Sequence, residues 1–161
     1  MHKQLNSTLT LIRDSSFPAT FGQRRRSHQV TVGIGGNVGN MKRRFVHLIH
    51  FLKRDSWVSL HLSSPILENP PFGFIDQDNF YNAVLVLSTD LNARALLRHL
   101  LSIEKKFGRK RSFKNAPRTL DIDMLFYDDI VMNHRDLTLP HPGWNKRESV
   151  LIPLAYLSKH S

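Results

Sequence analysis

Between Pro117 and Asp123 the chain reads Pro-Arg-Thr-Leu-Asp-Ile-Asp, which brings one guanidinium and two carboxylates close together. From Thr119 to Tyr127 the residues alternate as in a strand. Leu120, Ile122, Met124 and Phe126 take one side, and Asp121, Asp123, Leu125 and Tyr127 the other. Two like charges on one face repel each other unless a cation lies between them. Paired hard oxygen ligands suit Mg²⁺, and Arg118 suits the phosphate that such a metal carries. The competing reading is a half-buried strand with a solvated acidic face, and the surroundings must choose.

Those surroundings are basic. Arg109, Lys110, Arg111, Lys114 and Arg118 crowd into the segment just ahead of the two aspartates, in a chain of formal net charge +10. A positive excess calls for an anionic partner. A compact polyphosphate fits better than a nucleic acid, whose long backbone would also meet the aspartates. The chain of 161 residues, 40% hydrophobic and 22% charged, has the composition of one folded domain. With no cysteine it has neither disulfides nor thiolate metal sites, which fits a reducing compartment. No apolar run is long enough to span a bilayer, so the expectation is a soluble cytoplasmic protein with no membrane partner.

The elements that must hold these groups can be read in order. Residues 1–28 are polar and poor in acid, with Arg24-Arg25-Arg26 near their end, and are expected to form an N-terminal extension to a single domain at 29–161. Within the extension, Thr8 to Ile12 has the makings of a short strand. Val30, Val32 and Ile34 alternate as a strand before a glycine turn at Gly35-Gly36-Asn37-Val38-Gly39-Asn40. Phe45, Leu48, Ile49 and Leu52 recur at helical spacing over Met41 to Arg54. A strand from Trp57 toward Pro65, resuming to Glu68, precedes a loop, Asn69 to Asp78, that its consecutive prolines keep irregular. In the next strand, Asn79 to Ser88, Phe80, Asn82, Val84 and Val86 share a side. A second helix runs from about Asn92 to Phe107, with Asp90 or Asn92 as its cap and Gly108 ending it. After the Asp-x-Asp strand come a small hairpin and a short C-terminal helix. The order strand, helix, strand, strand, helix, strand predicts an α+β, ferredoxin-like sandwich, with both helices on one face of an antiparallel sheet and the other face left to ligands.

Six groups of residues, in order and at matching spacing, resemble the 6-hydroxymethyl-7,8-dihydropterin pyrophosphokinase family of folate biosynthesis. They are Gly35-Gly36-Asn37-Val38-Gly39, Asn69-Pro70-Pro71-Phe72-Gly73, Gln77 through Asn82, Gly108-Arg109-Lys110-Arg111, Pro117 through Asp123, and Leu139-Pro140-His141-Pro142 followed by Arg147. The resemblance implies an ATP-dependent diphosphotransferase, a monomer acting on small molecules rather than nucleic acid. It implies that Asp121 and Asp123 bind two Mg²⁺ and are catalytic together with Arg109 and Arg118. It assigns ATP to Arg109, Arg111, Arg118, Thr138, His141 and Arg147, and the pterin to Gly35, Asn69, Pro70, Phe72, Phe80, Asn82 and Asp121. Where relatives place a second aromatic against the pterin, this chain has Ser149, which predicts an incomplete stack. Two rivals remain: an RNA-binding domain of the same topology, and a different Mg²⁺-dependent phosphoryl or nucleotidyl transferase.

Overall fold

Alternating apolar residues make strands only if both faces find cover, and here two helices cover one face and a third helix covers half of the other. The structure is a computed structural model that describes residues 1–6, 8–71, 75–109 and 117–160, with side chains described as far as 157. In chain order the elements are β1 (His2–Gln4), β2 (Thr10–Ile12), β3 (Ala19–Thr20), β4 (His28–Gly36), α1 (Met41–Arg54), β5 (Val58–Ser63), β6 (Ile66–Asn69), β7 (Phe80–Thr89), α2 (Ala93–Lys106), β8 (Asp121–Tyr127), β9 (Met132–Asn133), β10 (Thr138–Leu139), a tight helical turn at Trp144–Lys146, and α3 (Glu148–His160). The main sheet runs β1-β2-β6-β7-β4-β8, with β5 continuing the line of β6 along β7, and β9 and β10 form a separate hairpin. Neighbouring strands pair antiparallel throughout, so the predicted β-α-β-β-α-β sandwich is the fold observed.

Both long helices form for reasons visible in their sequences. The Asn40 side chain accepts the Arg43 N–H at 3.1 Å and starts α1, and the Asn92 side chain accepts the Ala95 N–H at 2.9 Å and starts α2. Phe45, Leu48, Ile49 and Leu52 of α1, with Leu96, Leu100 and Ile103 of α2, are buried against Val30, Val32, Ile34, Leu85 and Leu87 of the sheet. Each such side chain contributes about 1.5–3 kcal/mol by leaving water.

Three features depart from the sequence reading. The face expected to lie open is half covered: Val150, Leu154 and Leu157 of α3 pack on Val84, Val86 and Leu125. The alternation along β8 also reverses. Phe126 pairs with Thr31 and Met124 with Val32, so Leu125 is an extra residue in the ladder. Beyond that bulge Tyr127 turns into the helix-side core, 2% exposed, while Phe126 faces the other way and meets the Trp144 ring at 5.1 Å. Finally, β1 and β3, which the sequence does not mark, join the sheet: β1 pairs with β2, the strand expected within Thr8 to Ile12, which itself pairs with β6, and β3 pairs with β5. Arg13 fastens this segment to α3 by donating to the Tyr156 hydroxyl at 2.7 Å. No helix among the described residues is long and apolar enough to cross a membrane.

Candidate active site

The half of the face that α3 leaves uncovered is where the polar residues of three strands meet. Gly35 of β4 is opposite Asn82 of β7 on one side and Asp121 of β8 on the other, and one pleat further Gly33 is opposite Asp123. Glycine is required in this row. A Cβ on Gly35 would collide with the Asn82 Oδ1, and one on Gly36 would lie 2.6 Å from the Met41 Cε and 2.9 Å from the Arg118 carbonyl oxygen. The two glycines read in the sequence as part of a turn are thus the end of a strand, kept bare so that neighbours can close in.

Asn37 follows them, 5% exposed, with its backbone N–H and both polar atoms of its side chain bonded. Its backbone N–H donates to the Arg118 carbonyl at 2.9 Å and its side-chain oxygen accepts the Arg118 N–H at 2.8 Å. Its side-chain nitrogen donates to the Gln77 Oε1 at 2.8 Å and to the Asp78 carbonyl at 3.0 Å. A buried carboxamide with this set of bonds fixes the backbone of Arg118 and ties it to the loop before β7. The Arg118 side chain then donates to the Asp121 Oδ2 at 3.0 Å, with its guanidinium carbon 5.9 Å from the centre of the Phe80 ring. Arg109 approaches the other oxygen of Asp121, Nε to Oδ1, at 3.6 Å. One carboxylate therefore draws two arginines.

Glu104 lies beneath the strand. It is 2% exposed, on the inner face of α2, and its Oε2 accepts the N–H of Ile122, the residue between the two aspartates, at 2.6 Å. Asp123 is open to water at the floor of a cleft, yet the protein around it displaces bulk solvent. That loss of solvation pushes its pKa up to about 7, with the Asp121 and then the Glu104 carboxylate adding to the rise, and Arg118 and Arg147 opposing it. Asp121 and Asp123 set hard carboxylate oxygens side by side on an open face, and the arginines beside them offset their repulsion only in part, a donor set that suits a divalent cation. His141, whose N–H donates to the Leu125 carbonyl at 2.9 Å, has its pKa lowered by burial and then by Arg147, with Asp121 opposing.

Two adjoining clefts result. The larger, about 370 Å³, is lined by Asn69, Pro70, Phe80, Asn82 and Arg118 among others, a volume suited to a small flat molecule. Asn82 donates to the Asn69 Oδ1 at 2.6 Å, which orients both amides. The smaller, about 50 Å³, contains Gly35, Asp121, Asp123 and His141. Phe80, Asn82, Arg118, Arg147 and Ser149 line both, so the two open into each other. A roomier groove of about 860 Å³ runs beside α3 past His61 and Leu154, but among the described residues no carboxylate lines it.

The structure thus gathers Gly35, Asn69, Pro70, Phe80, Asn82, Arg109, Arg118, Asp121, Asp123, His141 and Arg147 into one region. Thr138 lies in β10, paired with Asn133. Phe72 and Arg111, with Lys110 and Lys114, fall outside the described residues. Sequence reasoning passed over Asn37 and Glu104 as functional residues. The signal for Glu104 was a lone acid next to Ile103 on the inner stripe of α2. For Asn37 it was a carboxamide directly behind two glycines.

Residues 31–159 match the model of a family described as 7,8-dihydro-6-hydroxymethylpterin-pyrophosphokinase. The chain is 44% identical over 142 residues to the 2-amino-4-hydroxy-6-hydroxymethyldihydropteridine pyrophosphokinase of Helicobacter pylori, covering 86% of this chain and 87% of that protein. To the enzyme of the same description from Campylobacter jejuni it is 42% identical over 145 residues, covering 89% and 92%. It is also 32% identical over 143 residues to a mitochondrial folate synthesis bifunctional protein of Arabidopsis thaliana, of which the match covers 26%.

Proposed function

Because the chain belongs to the 7,8-dihydro-6-hydroxymethylpterin-pyrophosphokinase family, we propose that the cleft bounded by Phe80 and Asp123 is the place where it transfers pyrophosphate from ATP to its pterin. The activity itself is the pyrophosphokinase step of folate biosynthesis, dependent on ATP. In this reading Phe80 lies against the flat face of the pterin, while Asn82, held by Asn69, bonds its amide-like edge. Pro70 and Gly35 shape the cleft around the same ring, and Phe72 is assigned to it on the resemblance alone.

Asp121 and Asp123 would hold Mg²⁺, two ions in our assignment, which when bound neutralises phosphate charge and aligns the chain of phosphates. Arg109, Arg118, His141 and Arg147, with Thr138 and Arg111, are assigned to the triphosphate. Arg118 is the residue best suited to link the two substrates, since it lines both clefts and lies between the Phe80 ring and Asp121. The hydroxymethyl oxygen of the pterin forms a bond to the β-phosphorus and gives up its proton to solvent, the bond from that phosphorus to the α,β-bridging oxygen breaks, and AMP leaves with that oxygen. The residues act by orientation and by offsetting charge, which is the larger share of catalysis in phosphoryl transfer. We assign it as a monomeric, cytoplasmic enzyme on the resemblance to its family.

The observation that carries this reading is the row Asn82, Gly35, Asp121, in which the pterin end and the phosphate end of the cleft are separated by a single strand, β4. The test is an assay with ATP, Mg²⁺ and the dihydropterin alcohol, following AMP and the pterin diphosphate. Asp121→Asn and Asp123→Asn should each lose at least ~10²-fold in turnover. Near-normal rates in both variants would overturn the assignment of metal and phosphate to this end.

A further inference from the structure

The larger cleft has a wall made by residues that precede the segment matched to the family. That match begins at residue 31, yet Thr8 and Leu9 line the same 370 Å³ as Asn69, Pro70 and Phe80. Strand register explains how they come to be there. Leu11 pairs with Leu67 and Thr10 with Glu68, so the next antiparallel step sets Leu9 level with Asn69, and Asn69 in turn pairs with Phe80. The wall therefore runs Leu9, Asn69, Phe80 across three neighbouring strands.

This wall is built rather than draped. The Asn6 side-chain oxygen accepts the N–H groups of Thr8 at 2.8 Å and of Leu9 at 2.9 Å, and the Thr8 hydroxyl at 3.1 Å. Leu9 is 6% exposed and clusters with Leu11, Leu67 and Ile152 of α3. The Arg13 guanidinium lies 4.8 Å from the centre of the Tyr156 ring, besides its bond to that hydroxyl, so the hairpin is anchored to α3 as well as to β6. Thr8, by contrast, is exposed and borders the cleft. On the α3 side, Ser149 borders both clefts with a side chain too small to close them.

We propose that the β1–β2 hairpin is part of the pterin site, with Leu9 as a positioning residue that seats the turn and Thr8 as the side chain that limits the size of the ring the cleft accepts. The inference rests on Phe80 and Asn82 marking the pterin end. A rigid wall discriminates by what it leaves no room for, and one methyl group in such a pocket is worth about 10- to 200-fold in kcat/KM.

The experiment uses the full chain with three single substitutions, Thr8→Trp, Thr8→Gly and Asn82→Ala, and measures KM for pterin and for ATP separately, along with the melting temperature. Thr8→Trp narrows the cleft and should raise the pterin KM about 10-fold while the ATP KM stays within about twofold. Thr8→Gly widens it and should raise, by about 10-fold relative to the unmodified substrate, the kcat/KM for a dihydropterin alcohol bearing one extra ring methyl. Asn82→Ala should raise the pterin KM whether or not the hairpin matters. If Asn82→Ala does so and both Thr8 variants leave pterin KM and selectivity unchanged, the inference fails and the site assignment stands. If none of the three has an effect, the pterin assignment fails and this proposal with it. If Thr8→Trp raises both KM values together and lowers the melting temperature, the hairpin has only a structural role and the proposal is overturned.

Discussion

One face of one sheet has two halves built on the same strands. In one, α3 lies on Val84, Val86 and Leu125 and excludes water; in the other, Asn82, Asp121, Asp123 and Arg118 border an open cleft. The change from charge to grease happens between Asp123 and Leu125, successive residues on the same side of β8. What separates the halves is not the strands but where α3 begins, so the chemistry of the site and the stability of the fold come within a side chain of each other without mixing. The covered half stabilises the protein. The open half keeps acids together against their own repulsion, which suits function and not stability.

The largest effect should come from neutralising the open half. In metal-free buffer at pH 8, Asp123→Asn should raise the melting temperature while removing at least ~10²-fold of kcat/KM, because burial and Asp121 disfavour the ionised form of Asp123 in the fold. A melting temperature that falls along with activity would mean the acids also hold the fold together, and the contrast would collapse. Next in size, Leu157→Ala in the covered half should lower unfolding free energy by about 2–3 kcal/mol in a denaturant titration and leave both KM values unchanged. A change in either KM would show that the halves communicate.

A smaller, local effect is expected of Gly35→Ala. Its Cβ would displace the Asn82 carboxamide, so the pterin KM should rise about 10-fold with the ATP KM less affected. Equal changes in both would blur the division between the two ends of the cleft. The smallest effect belongs to His61 beside α3, where its Nε2 lies 2.6 Å from the Ser88 Oγ. Burial, and then Arg25, hold its pKa below the usual 6.5. The unfolded chain binds that proton more readily, so stability should be full above pH 6.5 and decline as pH falls below it. His61→Gln should flatten that decline in denaturant midpoints measured against pH, and an unchanged slope would show that the covered half is wetter than its packing implies.

Much of this was legible in the residues. Helical spacing placed α1 over Met41 to Arg54, and the alternation of Phe80, Asn82, Val84 and Val86 put these side chains on the face shared by the site and α3, because both patterns are local and of fixed period. The bulge at Leu125 was not legible, since it is a mismatch between β8 and β4 and leaves no trace in β8 alone; it reversed Phe126 and Tyr127. The short strand within Thr8 to Ile12 was legible and is β2, but β1 and β3 were not, being too short to have a pattern and forming only by pairing with β2 and β5. Glu104 reads as an ordinary helical acid until the N–H of Ile122 is seen to need it. At the site, residue types and spacing gave the charged groups, while the bonds of Asn37 that align them depend on a loop distant in sequence.

The short N-terminal strands also decide what the sheet shows to the outside. Without them its rim would be β5 and β6, with the aliphatic Ile66 and Leu67 next to unpaired backbone groups, an invitation to growth by strand addition. With them the rim is the two-residue β3 beside β5 and, beyond β6, β1, three exposed residues with Lys3 at the centre, while the opposite rim, β8, opens on two acids. Both borders are poor templates for a further strand, so the same hairpin guards against fibrous self-association at the concentrations where an enzyme is made.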